Sequence, residues 1–87
     1  MGNESNPTLW PFTIRRGYEH AATFYSTPGD FSAQEKSEVA LHLGLGSESG
    51  LHFEVCPAIP AKSRLLVGQL GLKRFKTQSD REFWFEN

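Results

Sequence analysis

The sequence holds a single cysteine, Cys56, so it cannot close an intrachain disulfide, and the Cys/His spacing of a zinc finger is missing. Small scaffolds commonly rely on one of those two staples; this chain must be held by its apolar core. No apolar run approaches the roughly 18 residues that a membrane-spanning helix requires. The opening MGNESNPT lacks the basic and apolar blocks of a secretory signal, and Asn6 stands where N-myristoylation needs Ser or Thr. A cytoplasmic, reduced setting with no membrane partner is therefore expected. Catalytic patterns are also absent. Gly44-Leu45-Gly46-Ser47-Glu48-Ser49-Gly50 misses the phosphate-cradling G-x-G-x-x-G at Ser49 and the nucleophile elbow G-x-S-x-G at Glu48, and it leads into a strand pattern where either motif should open a helix. No Ser/His/Asp or paired-carboxylate spacing stands out, and no basic neighbour activates Cys56. A non-enzymatic chain without a cofactor is the expectation.

What is present is aromatic. Eighty-seven residues make one domain, which removes only about 60 to 65% of its unfolded surface from water. Seven Phe give so short a chain an efficient core and place it among folded domains. The net charge of -1 argues against a general nucleic-acid binder. That charge is unevenly spread, with three Lys or Arg against seven Asp or Glu in residues 1–60, and six against three in residues 61–87.

Residues 1–8 are polar, contain Pro7, and read as a flexible arm; residues 9–87 read as one globular domain. Phe12 and Ile14, then Tyr18, His20, Ala22 and Phe24, recur at every second position, as in two strands meeting near Gly17. Thr27-Pro28-Gly29-Asp30 has the residues of a type II turn. Ser32-Ala33-Gln34-Glu35 is a capping box, yet Val39, Leu41, Leu43 and Leu45 alternate, as do Leu51, Phe53 and Val55. Pairing Leu45 with Leu51 places every apolar residue of the two runs on one face, so a hairpin is expected, preceded by at most one short helix near residues 32–38. The alternative is a helix over 32–43 packed on an antiparallel sheet. Pro57 and Pro60 end the second run, residues 64–75 read as a long strand bent at Gly68 and Gly71, and residues 82–86 as the last strand. The expected fold is mainly β, a small rolled antiparallel sheet or barrel of five to six strands.

Two constellations carry possible chemistry. In the expected hairpin His42 faces Glu54 with His52 diagonal to it, a set able to bind a divalent metal or pass a proton. The second is KRFKTQSDREFWF, residues 73–85, with four cations and four aromatic rings. A strand sends Phe83 and Phe85 to one side and Trp84 to the other, so something must cover the indole: the segment with Trp10 and Pro11, a second copy in a homodimer, or a partner. A binding surface of Lys73, Arg74, Phe75, Lys76, Arg81 and Trp84 follows, with Trp84 as anchor and the cations as rim. The expected function is a stoichiometric adaptor or inhibitor engaging a larger protein partner. A module binding single-stranded nucleic acid through the same surface is the alternative, and a small metal-dependent enzyme at His42, His52 and Glu54 the third reading.

Overall fold

The computed structural model describes residues 8–86. Strands β1 (Thr8–Arg16) and β2 (Glu19–Ser26) are followed by helix α1 (Ala33–His42), strands β3 (Leu51–Val55) and β4 (Lys62–Ser63), helix α2 (Arg64–Gln69), and strands β5 (Leu72–Phe75) and β6 (Phe83–Glu86). All pairings are antiparallel, in the order β3-β1-β2-β6-β5, with β4 pairing the start of β1. The expected small antiparallel sheet of six strands is present. It is open, with β3 and β5 at its edges. Of the expected arm over residues 1–8, only Thr8 falls among the described residues, and it already belongs to β1 opposite Ser63.

One face of the sheet carries the core. Phe12, Ile14, Phe24, Phe83 and Phe85 share the side that meets Val39 and Ala40 of α1, with Phe31, Phe53 and Phe75 packed around them. Phe24 is central, its ring centroid within 6.0 Å of those of Phe12, Phe31, Phe53, Phe83 and Phe85. On the opposite face Leu9, Pro11 and Val67 are buried outside that cluster.

The expected hairpin over Val39–Val55 does not form; the alternative, a helix on the sheet, does. Its start is the capping box: Ser32 Oγ accepts from the Glu35 amide, and the Glu35 carboxylate accepts from the Ser32 amide. Its end is a Schellman motif, in which Leu45 N–H donates to Ala40 O and Gly44 N–H to Leu41 O, with Gly44 at φ 73°. Alternation from Val39 to Leu45 misled because the helix buries Val39, Ala40 and, in part, Leu43, and leaves Leu41 73% exposed. β3 pairs instead with β1, Phe53 opposite Ile14 and Val55 opposite Phe12.

The expected strand over 64–75 is also corrected, and with it the limit of one helix. Ser63 caps α2 by accepting from the Leu66 amide, and Gly71 at φ 89° turns the chain out of the helix into β5. Among the described residues no helix is long and apolar enough to cross a membrane.

Substitutions distinguish helix from hairpin. Phe24→Ala should cost about 3 to 5 kcal/mol in urea denaturation, whereas Leu41→Ala should change stability by no more than about 0.5 kcal/mol. A Leu41→Ala loss as large as that of Phe24→Ala would restore the hairpin.

Candidate functional site

Arg81, expected at an exposed rim, is the most internally committed cation of the hairpin, with its side chain only 9% exposed. Its Nε donates to Ser26 Oγ at 3.1 Å, Nη1 to Asp30 O at 2.6 Å and to Glu35 Oε1 at 3.4 Å, and Nη2 to Gly29 O at 2.7 Å and to Thr27 O. The guanidinium also lies 3.7 Å from the Phe31 ring centroid. Ser26 Oγ in turn donates to Glu82 O at 2.6 Å. The turn after β2 directs its carbonyls inward, and a planar five-donor cation satisfies them together.

Glu35 closes this unit. Burial opposes its ionisation, but hydrogen bonds from the Ser32 backbone and the Ser79 hydroxyl, with the charge of Arg81, outweigh burial and hold the carboxyl below the usual carboxylate range. Burial likewise pulls Arg81 below the usual guanidinium range, opposed by Glu35 and Asp30.

The rings of the hairpin are occupied too. Phe75 lies between Phe85, 4.6 Å away, and His42, 5.4 Å away, by centroids. Trp84 is half-buried against α2: a Cβ added to Gly68 would lie 4.0 Å from its Cζ3. The cover is therefore a helix the sequence did not reveal. Trp10 has the opposite parity to Pro11 on β1, and Pro11 shares the cross-strand row of Tyr25 and Trp84. Lys73, Arg74 and Lys76 remain exposed, with Arg74 Nη1 3.7 Å from Glu82 Oε2. Glu82 is buried, and Arg64 Nε lies 2.8 Å from the same oxygen. The six expected residues thus divide into three exposed cations and three side chains engaged within the fold.

His42, His52 and Glu54 are not assembled as expected, because His42 belongs to α1. Its Nε2 lies 3.0 Å from Lys76 O. Glu54 faces Thr13 and receives a 3.0 Å hydrogen bond from Arg15 Nε, while His52 faces Arg15. Among the described residues no group of three or more His, Cys, Asp or Glu is placed to hold a metal ion. Cys56 is half-buried, its Sγ 2.6 Å from Thr13 Oγ1.

The sequence reading missed a groove of about 580 Å3 on the α1 face. Trp10, Phe12, Phe31, Phe53 and Val55 form its apolar walls, with Asp30, Lys36 and Glu54 at its border. Trp10 is 40% and Val55 41% exposed. The available signal was parity: Trp10 continues the inward row of Phe12 and Ile14 past the end of the core. Against known proteins the chain matches no family model, and no curated protein or solved structure matches it.

Two measurements check the Arg81 unit. Arg81→Ala leaves Glu35 and three carbonyls facing one another and should cost about 3 to 5 kcal/mol, much of the roughly 5 to 15 kcal/mol that stabilises a typical domain. A loss below about 1 kcal/mol would return Arg81 to the surface. Glu35, with its folded-state pKa lowered, contributes stability above its unfolded value of about 4.3 and loses it as pH falls through the folded value. The denaturation curves of the parent and Glu35→Gln should therefore differ at neutral pH and converge in acid; a constant gap down to the lowest pH would contradict this.

Proposed function

We propose that this chain is a non-enzymatic binding module that acts stoichiometrically, as an adaptor or inhibitor, on a larger protein partner, with the groove beside Trp10 as its contact. The observation that supports this reading is the exposure of Trp10 and Val55 on a concave apolar surface whose other walls are fixed by the core. Exposed aromatic rings in a cleft are what protein interfaces use as anchors, since burying them removes large apolar area from water at little entropic cost.

The border indicates the partner's chemistry. Asp30 and Lys36 stand there with opposite charges, and the Lys36 ammonium lies 5.9 Å from the Phe53 ring centroid, while the Glu54 carboxylate is turned to the other side of the sheet, onto Arg15. A protein segment presenting an apolar side chain beside a charged one fits that arrangement. Single-stranded nucleic acid needs open rings beside cations, and on the hairpin only the cations Lys73, Arg74 and Lys76 are open.

Cross-linking from nuclease-treated lysate should capture a protein that is lost with Trp10→Ala and retained when Lys73, Arg74 and Lys76 are all changed to Glu. Retention with Trp10→Ala, or loss only with the triple variant, would move the contact away from the groove. Loss of all capture on nuclease treatment would favour nucleic acid.

A further inference from the structure

The two edges of the sheet differ in a way that bears on self-association. An edge strand presents unpaired backbone donors and acceptors to any strand that can lie beside it. β5 reads Leu72-Lys73-Arg74-Phe75. Antiparallel pairing of two copies of β5 about a two-fold axis centred on Lys73 or on Arg74 sets that cation against its own copy, with Lys76 close by, and like charges directly opposed repel. That edge is guarded in the way sheet proteins commonly guard one, by cations.

β3 reads Leu51-His52-Phe53-Glu54-Val55 and contains no Lys or Arg. Its outer edge is unpaired among the described residues, since β1 is its one partner. A two-fold axis through Phe53 makes the strand complementary to itself. Leu51 then faces Val55 of the second copy, Phe53 faces Phe53, and on the opposite side of the sheet His52 faces Glu54 and Glu54 faces His52. Every apolar residue meets an apolar one and each imidazole meets a carboxylate, as an isologous interface requires.

The surroundings agree with that register. Glu54 already has Arg15 Nε at 3.0 Å on its inner side and is exposed, so its outer side is free for an imidazole. His52 is exposed and has Arg15 as its neighbour within the sheet, so a carboxylate across the edge supplies a favourable contact that the described residues of its own chain do not. Val55 is 41% exposed at the groove border, where it would meet the edge of the second copy's core at Leu51, itself 8% exposed.

We infer that the chain forms a symmetric homodimer by antiparallel pairing of β3 with β3 of a second copy, centred on Phe53, which joins the two sheets into one. The inference does not rest on the proposed partner protein: it concerns the chain alone, and groove binding stands or falls separately.

The test is sedimentation equilibrium of the purified chain over a concentration series. The expected mass rises with concentration from the 9.8 kDa of one chain to twice that value. His52→Glu opposes two pairs of carboxylates and should raise the dissociation constant about tenfold or more. Adding Glu54→His to that variant rebuilds both opposite pairs in exchanged positions and should restore the parental constant. Both residues are exposed, and thermal denaturation of each variant checks that the fold is kept. A single-chain mass at every concentration overturns the inference, and so does a dimer that His52→Glu does not weaken or that the second substitution does not rescue.

Discussion

The guanidinium of Arg81 is the fixed point on which this small fold turns. It meets the carbonyls of Thr27, Gly29 and Asp30, the Ser26 hydroxyl and the Glu35 carboxylate, while its face lies on Phe31. Inward carbonyls of a tight turn generate a local negative potential, and a delocalised, weakly hydrated cation answers it at lower desolvation cost than an ammonium. Glu35 belongs to that contact and also to the capping box, so the turn after β2, the first turn of α1 and the approach to β6 form one cooperative unit. Phe31, held beneath the guanidinium, passes the same order to the core and to the groove, both of which it borders.

What could be read from the sequence was what depends on near neighbours. The alternation of Phe12 and Ile14, the break at Gly17, the capping box at Ser32 and Glu35, the strand Leu51–Val55 and the aromatic last strand all rest on residues within a few positions of one another. The path from Val39 to Leu45 was misread because four apolar residues at every second position satisfy a strand, while the same stretch also satisfies a helix through Val39, Ala40 and Leu43. Ala40 held the clue, as a small apolar residue at a position the strand reading made polar, and so did Gly44, the residue that ends a helix in the left-handed region. α2 escaped because Gly68 and Gly71 resemble strand bends; Ser63 as its cap was the local sign.

The candidate site was less legible than the fold, for a physical reason. Whether a cation is rim or clamp depends on what the rest of the chain brings to it, and the carbonyls that hold Arg81 lie more than fifty residues earlier. The same holds for Trp84, whose cover is a helix from another part of the chain, and for Phe75, stacked on His42. The rings and cations of residues 73–85 are real, but folding takes the rings and Arg81 for the interior and leaves Lys73, Arg74 and Lys76 to guard an edge. Open apolar surface reappears beside β3, where Trp10 and Val55 stand past the limit of the core.

The internal role of Arg81 is tested most directly by nuclear magnetic resonance of the arginine side chains, following exchange of each Nε proton with solvent. The expected result is an Arg81 Nε–H that exchanges at least a hundredfold more slowly than that of Arg74, because its donor is held on Ser26 Oγ within a nearly closed site. Equal exchange of the two would contradict the account, since a guanidinium open to water cannot be the group that gathers the turn, the helix start and the last strand.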